Sequence, residues 1–218
     1  RAIVMRRDLV FGLNGNFLIG RSVLPFQRAR KRLRLAIIES LGGWVATMSD
    51  IFAIDVRFYR LSEQLQPYFT ALYSFEIDCD DDVLVQDCLH PEWSVLRFTQ
   101  FGTPPYGAIT PEAIKPSYPF VFSGPNSRAI NFGVRKSRIW GLGLQPAGWA
   151  RYVTVPACEL ADQIVDGSAI DALAVFAPVL EEVRAAPDDA DETARRINAY
   201  LMEQELATAP SQQAILGH

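Results

Sequence analysis

The sequence predicts an α+β fold in which a compact β-structure is followed by a helical segment. Residues 118–144 hold three runs rich in β-branched and aromatic residues, separated by Gly-Pro-Asn-Ser and Arg-Lys-Ser turns. At residues 145–148 the pattern changes, because Pro146 cannot continue a strand ladder but can begin a helix. Beyond Asp171, apolar residues recur at three- and four-residue intervals, which indicates amphipathic helices.

Six strands are predicted in the β-structure: residues 69–77, 83–89, 93–100, 118–124, 128–134 and 137–144. Gly141 and Gly143 interrupt the last strand, and we expect a backbone or a ligand to come close there. Residues 101–119 are rich in proline and predict an exposed loop across the mouth of the β-structure. The acidic residues 78–82 lack the glycine and distal glutamate of a calcium loop, so a solvated hairpin tip is predicted.

The helical segment is predicted to begin with a short helix within residues 155–166, followed by a helix capped by Asp171. Pro178 is expected to kink this second helix or reset its start, and the last helix is predicted over residues 190–206. The apolar stripe of these helices either packs on the core or forms the seam of a homodimer, and both interpretations stay open. The residues assigned to a dimer seam are Leu173, Phe176, Leu180, Ile197 and Leu201.

The first 47 residues differ from the rest of the chain in charge. They hold 9 of the 21 Lys and Arg residues but only 2 of the 25 Asp and Glu residues, a balance of +7 against −11 for the remainder. The basic run at residues 27–34 is typical of a nucleic-acid arm, a membrane-surface helix or a targeting segment. We instead predict that the natural start is Met48 and that the upstream residues are non-native. The alternative is a disordered or loosely helical basic leader.

The overall composition restricts the classes of protein that the chain can belong to. With 49% hydrophobic and 21% charged residues in 218, the chain is long and apolar enough for one sizeable globular domain. Its three cysteines form neither an even set nor a C-x-x-C motif, which favours a reducing, cytoplasmic setting. The acidic body beyond residue 47 disfavours direct nucleic-acid binding, and no apolar run is long enough to predict a membrane span.

Catalytic motifs are absent from the sequence. The chain has two histidines, His90 and His218, whereas metal-dependent β-barrel enzymes take two or three histidines and a carboxylate from neighbouring strands. There is also no phosphate-binding loop and no Gly-x-Ser-x-Gly elbow. We therefore predict a protein that is not an enzyme and that uses no metal and no cofactor.

The aromatic residues on the predicted strands are consistent with either a filled core or an apolar pocket for a small organic molecule. If a pocket exists, the residues predicted to bind the ligand are His90, Trp93, Arg97, Phe122, Trp140 and Gln145. The alternative for His90 is a turn residue that bonds only to backbone.

Two stretches also resemble a known family. Residues 122–130 read FSGPNSRAI, and residues 140–166 read WGLGLQPAGWARYVTVPACELADQIVD. A Gly-Pro turn, a glycine-rich exit and a V-P-A-x-E-L-x-D motif in this order resemble the N-terminal regulatory domain of a group of AraC-type transcription regulators. The resemblance covers roughly residues 59–206. It departs at Tyr73, where the family usually has tryptophan, and at residues 90–93, where a Pro-Asp-Gly turn is common.

The resemblance implies a cupin-like β-barrel or sandwich, followed by helices that precede a DNA-binding helix-turn-helix pair. On this basis we expect a leader (1–53), a β sensor domain (54–150), a helical linker or dimerisation segment (151–207) and a tail (208–218). The expected function is effector sensing and dimerisation in a transcription regulator, with DNA bound only through a helix-turn-helix domain absent from this chain and with no membrane partner. The alternatives are a stand-alone small-molecule-binding or interaction module, or a metal-free cupin-like enzyme.

Overall fold

The computed structural model describes the backbone of residues 50–186 and 188–213 and of five short strands among residues 2–34, with side chains for residues 52–186 and 188–205. The described strands are β1 (Ala2–Val4), β2 (Leu9–Phe11), β3 (Phe17–Ile19), β4 (Ser22–Leu24), β5 (Ala29–Arg34), β6 (Asp50–Tyr59), β7 (Phe69–Cys79), β8 (Leu84–Leu89), β9 (Val95–Gly102), β10 (Tyr106–Ile109), β11 (Lys115–Pro116), β12 (Phe120–Ser123), β13 (Ile130–Val134), β14 (Ser137–Leu144) and β15 (Ile164–Asp166). The α-helices are α1 (Pro146–Tyr152), α2 (Val179–Ala185) and α3 (Ala190–Gln213).

The strands form two main sheets, and the α+β class predicted from the sequence is confirmed. The larger sheet is antiparallel throughout, in the order β15-β12-β9-β14-β7-β6-β5. The second sheet has the order β1-β8-β13-β10-β11 and is antiparallel except for its β1–β8 edge, and β2, β3 and β4 form a small third sheet. Among the described strands both main ladders stay open, so no closed barrel is seen.

The larger sheet is buried on both faces, and alternation along each strand decides which layer a side chain joins. On β14, Trp140 and Leu142 belong to a core shared with the helices, whereas Ile139 belongs to a core shared with the second sheet. On β12, Phe120 and Phe122 likewise face the helices. A strand buried on both faces carries few polar residues, which explains the nearly continuous apolar sequence of β14.

The six strands predicted within residues 69–144 are all present, as β7, β8, β9, β12, β13 and β14. Strand β6 was not predicted, although Phe52, Ile54 and Val56 alternate with smaller or polar residues and are buried. This strand crosses the boundary predicted between residues 53 and 54. The basic run contributes β5, which pairs with β6, and Met48 lies outside the described residues. That the chain naturally starts at Met48 stays a prediction.

Two segments differ from their predictions. The proline-rich loop predicted at residues 101–119 contains the end of β9 and the strands β10 and β11, because β10 finds a partner in β13. The helix predicted within residues 155–166 is wrong: Ala157–Glu159 is a single 3-10 turn, and the chain then forms β15 on the free edge of β12. Asp162 adopts a left-handed backbone (φ 53°) between them, which ends any helix.

The predicted boundaries of the later helices are correct in part. Pro178 is the N-cap of α2, so the predicted reset at this residue is confirmed. Asp171 does not cap a helix, because Ile170 is the N-cap of the 3-10 helix Asp171–Phe176 and Asp171 lies in its first turn. Helix α3 begins at Ala190 as expected and continues to Gln213, beyond the predicted end.

The residues assigned to a dimer seam lie inside the chain's own core. Leu173, Phe176 and Ile197 are 0% exposed and Leu201 is 2% exposed, because α2, α3 and the 3-10 helix pack on the larger sheet. Leu180 is partly buried against the same core. The apolar stripe therefore covers the sheet, and these buried positions are not available as a free surface. In the described part of the chain, no helix combines the length and the hydropathy needed to span a bilayer.

Candidate ligand-binding cavity

A cavity lies between the two main sheets. Its volume is about 70 Å³. The described lining residues are Tyr73, Phe75, Leu89, Arg97, Pro105, Tyr106, Gly107, Ser117, Val121, Ser123, Ile130, Phe132, Val134, Ile139 and Ile164. The lining is mostly aliphatic and aromatic with a few polar groups, which is the usual composition of a small-molecule site.

Arg97 is the charged residue of this lining, and it projects from the middle of β9. Its Nη2 donates to Oε1 of Glu92 at 2.6 Å, and its Nη1 donates to Oγ of Ser123 at 2.9 Å. The Arg97 and Glu92 side chains are only 13% and 14% exposed, so this ion pair is largely removed from water. Glu92 is not part of the lining, so the pair presents its cationic end to the cavity.

The register of the sheet explains how Arg97 and Tyr73 meet. Gly141 on β14 lies opposite Tyr73 on β7 and opposite Arg97 on β9. A Cβ at Gly141 would lie 2.0 Å from Cζ of Tyr73, so the ring occupies the place where a side chain would be. The Tyr73 hydroxyl thereby comes within hydrogen-bonding reach of Arg97. A close approach by a backbone or a ligand was predicted at this glycine, whereas the group that approaches it is the Tyr73 side chain.

The pKa shifts of these two residues follow from the same packing. Burial by itself would lower the pKa of Arg97, but the charge of Glu92 and the hydrogen bonds to Glu92 and Tyr73 outweigh it, and the pKa is raised. Burial raises the pKa of Tyr73, against the opposing effect of Arg97. At neutral pH the polar end of the cavity is therefore a guanidinium beside a neutral phenol.

The turns around Glu92 hold this polar end in place. Asn126 Oδ1 accepts from the Glu92 backbone N–H at 3.1 Å, and the Asn126 N–H donates to the Glu92 carbonyl at 3.1 Å. Gly124 contacts the segment before β15 so closely that a Cβ there would lie 1.8 Å from the carbonyl oxygen of Leu160. The Asp162 N–H donates to the Pro125 carbonyl at 2.9 Å. The Gly-Pro turn and the V-P-A-x-E-L-x-D segment are thus packed against each other.

Asp162 reinforces this junction from the solvent side. Its carboxylate accepts from the backbone N–H of Ser127 at 2.8 Å and from the Ser127 hydroxyl at 2.9 Å. These two bonds lower the pKa of Asp162 below its ordinary value. The left-handed backbone of Asp162 and its charge therefore serve the contact between the two turns.

The structure brings one of the six predicted ligand-binding residues, Arg97, into the lining of the cavity. Phe122 and Trp140 are fully buried on the opposite face of the larger sheet, where the Trp140 Nε1 donates to Oε1 of Gln100 at 3.0 Å. Phe122 pairs with Leu96 and Val121 pairs with Arg97, so Phe122 cannot share a face with the arginine. The sequence does not indicate which face of the sheet each aromatic residue joins, and for this reason Phe122 and Trp140 do not lie where they were predicted.

The other three predicted residues lie away from the lining. His90 is exposed at the turn before β9. Trp93 is partly buried, and its Nε1 has no hydrogen-bond partner. Gln145 donates from Nε2 to the carbonyls of Gln66 and Phe69, at 3.0 and 3.3 Å, and so joins the start of β7 to the start of α1.

Four polar lining residues were not predicted from the sequence: Tyr73, Tyr106, Ser117 and Ser123. Tyr73 and Ser123 lie on predicted strands and could be found by counting alternate residues from an inward-facing position on the same strand, because the side-chain period of a strand is two. Tyr73 carried a second signal, since an unusual residue stood where the resembling family has tryptophan.

Metal ligation finds no support in the described side chains. Among them, no three histidine, cysteine, aspartate or glutamate residues are close enough to hold an ion. Cys79, Cys88 and Cys158 are all free thiols, the first buried and the other two exposed.

Comparison of the sequence with models of protein families gave no match, and comparison with curated proteins gave none either. The proposals below therefore depend on the geometry of the cavity and on the residues that carry the resemblance.

Proposed function

We propose that this chain is the effector-sensing module of an AraC-type transcription regulator, with a cupin-like arrangement of its two sheets. A small organic molecule binds in the cavity between the sheets, and the helices on the other side of the larger sheet respond. The observation that carries the proposal is the cavity itself, an apolar space with one guanidinium, a phenol and hydroxyls at its polar positions.

The path from the cavity to the helices supports a sensing role. Strand β9 carries Arg97 on its cavity face and, three residues later, Gln100 on its helix face. The Gln100 Nε2 donates to the carbonyl of Val183 in α2 at 2.6 Å and to Oγ1 of Thr193 in α3 at 3.4 Å. Strand β9 thus connects the cavity to both helices through a continuous series of contacts, along which a ligand bound at Arg97 would act on the helices.

The motifs that carry the resemblance support the same proposal. Gly124, Pro125 and Asp162 contact one another, although about forty residues of chain separate the two motifs. Together they hold the turn of Glu92, the counter-ion of Arg97. The two motifs therefore act together in holding the polar end of the cavity.

We also propose that the parent protein forms a dimer and binds DNA. Residues that bind DNA belong to a helix-turn-helix pair outside this chain, and a homodimer contact of the helices would use their outer faces. Leu173, Phe176, Ile197 and Leu201 are excluded from such a contact because the sheet already covers them.

The test uses ligand-dependent thermal unfolding of the chain with a library of small organic molecules. A true effector raises the melting temperature of the wild type, because ligand that binds only the folded state stabilises it. Gly107→Leu is the blocking variant, since a Cβ at Gly107 first meets Cδ1 of Ile164 at 3.6 Å and the longer side chain extends into the cavity region. Gly107→Ala is the matched control and should keep the shift. A shift that survives in Gly107→Leu would place binding elsewhere and contradict the proposal.

A further inference from the structure

We propose that the ligand of this cavity is a small monocarboxylate with an apolar, aromatic or branched body. This inference rests on the proposed function and specifies the chemistry of the molecule that is sensed.

The polar groups of the lining favour an anion. The side chains that offer hydrogen bonds are Arg97, Tyr73, Tyr106, Ser117 and Ser123, and among the described lining residues there is no carboxylate, amide or imidazole. An amine would need a carboxylate, which the described lining does not contain, whereas the Ser and Tyr hydroxyls of the lining can both donate and accept. A carboxylate only accepts, and every polar side chain of the lining can donate to it, with Arg97 supplying the opposite charge.

Arg97 can take such a ligand without losing its present partners. A guanidinium has more N–H groups than Glu92, Ser123 and Tyr73 use, and its planar fork matches a carboxylate. Ser117 adds a second donor, because its buried hydroxyl has no hydrogen-bond partner. Ser117 lies where the cavity meets a neighbouring recess, which shares Gly107, Ser117 and Ile164 with the cavity.

The rest of the lining selects the body of the ligand. Phe75, Val121, Phe132 and Ile139 surround the polar end with apolar and aromatic surface. The cavity volume is about 70 Å³, so a compact ring or branched chain fits better than a long one. Burial of that body supplies the favourable free energy, and the carboxylate determines its orientation.

Glu92 provides a test of the charge of the ligand, because its carboxylate already neutralises the Arg97 guanidinium to which a ligand carboxylate would bind. Replacing Glu92 by glutamine leaves a hydrogen-bonding side chain but removes the competing charge, so a carboxylate should bind several-fold more tightly. A neutral ligand should be nearly indifferent to this change. The sign of the Glu92→Gln effect therefore distinguishes the two classes of ligand.

The experiment measures binding by calorimetry with a matched set of probes: benzoate, benzamide, benzyl alcohol and benzylamine. We expect wild-type protein to prefer benzoate, and Glu92→Gln to strengthen benzoate alone. Because Arg97→Met leaves Glu92 buried without a partner, the double variant Glu92→Gln/Arg97→Met, which removes both charges, is measured as well. It should weaken benzoate by about tenfold or more, as expected for loss of a charge-assisted hydrogen bond, while circular dichroism shows the fold retained.

The outcomes separate this inference from the proposed function. If benzamide or benzyl alcohol binds as well as benzoate and Glu92→Gln changes nothing, the carboxylate inference falls while the small-molecule sensor stands. If none of the probes binds and no library compound shifts the melting temperature, both fall together.

Discussion

Gly141 is the residue on which the polar end of the cavity depends most directly. Tyr73 and Arg97 are its neighbours on the two flanking strands, β7 and β9, and the ring of Tyr73 lies over its Cα. A strand glycine usually weakens a sheet, because it has no side chain to pack. Here the missing side chain creates the space in which a phenol and a guanidinium meet.

Gly141→Ala should therefore destabilise the protein by about 1–3 kcal/mol, the usual cost of forcing an extra methyl group into a packed core. The new Cβ would lie 2.0 Å from Cζ of Tyr73, and this ring is buried and cannot simply swing into solvent. Urea denaturation measures the loss. Gly107→Ala is the control, since the nearest atom to its Cβ is 3.6 Å away and little change is expected.

The double variant Tyr73→Ala/Gly141→Ala decides whether the ring is the cause. If Gly141→Ala costs as much without the Tyr73 ring as with it, the clash is not the reason for the loss. A cost that shrinks in the Tyr73→Ala background supports the packing argument.

At the scale of elements, α3 is tied to α1 by a buried polar cluster. Arg151 Nη2 lies 3.0 Å from Oε1 of Glu205, and these side chains are 4% and 15% exposed. The Tyr152 hydroxyl donates to the same carboxylate at 2.6 Å. The Arg151 guanidinium also lies over the ring of Tyr68, at 5.9 Å from its centroid. These contacts fix the direction in which α3 leaves the domain.

This cluster makes stability depend on pH in the alkaline range. Burial, followed by the hydrogen bond to Glu205 and its charge, raises the pKa of Tyr152 above its ordinary value of 10.0. The unfolded chain therefore loses this proton first, so the contribution of Tyr152 is complete below pH 10 and declines as the pH rises towards the higher folded-state pKa.

Tyr152→Phe should thus cost about 1 kcal/mol near neutral pH, the usual net value of a hydrogen bond, and the difference from wild type should shrink above pH 10. Denaturant unfolding at a series of pH values gives this difference. Tyr118→Phe, which removes an exposed hydroxyl, is the control for the substitution itself near neutral pH. A difference that grows with alkaline pH would contradict the assigned cluster.

At the scale of the whole molecule, the larger sheet is an inner layer. The helices cover one face and the second sheet covers the other, so the two cores and the cavity share one set of strands. Because both faces are buried, a change at one face has few ways to relax without reaching the other. In the proposed sensing role, this layered arrangement gives a ligand between the sheets a route to the helices.

The burial of α3 leads to a prediction about assembly. Ile197→Ala should lower the free energy of unfolding by about 2–5 kcal/mol, as for other buried large-to-small changes, because Ile197 packs on the core of its own chain. Glu203→Ala, at an exposed position of the same helix, should change it by less than about 0.5 kcal/mol. Urea unfolding at several protein concentrations provides the measurement. If the loss appears only as a change in concentration dependence, Ile197 belongs to an interface between copies.

Prediction from sequence was most successful where local pattern decides the outcome. Six of the eight strands within residues 69–144, the start of α1 at Pro146 and the start of α2 after Pro178 follow from side-chain period and proline geometry. Prediction failed where a segment becomes a strand because it pairs with a strand that is distant in the sequence. Tyr106–Ile109 is a strand because β13 lies beside it, and Ile164–Asp166 is a strand because the edge of β12 is free.

Of the residues predicted to bind a ligand, only Arg97 lines the cavity, and the reason is geometric. Alternation places side chains on two faces, but no local signal says which face meets helices and which meets the second sheet. Phe122 and Trp140 were therefore chosen with Arg97, although the pairing of Phe122 with Leu96 places Phe122 on the opposite face.

By itself the sequence determined the α+β class, the positions of most strands and the apolar stripe of the helices, because these depend on periodicity and on turn residues close in the chain. Only the tertiary structure decided that the stripe covers the chain's own sheet, and that Tyr73 and Arg97 meet over Gly141. Register between strands and the stacking of layers join residues far apart in the chain, and their energies come from packing that no short window of sequence contains.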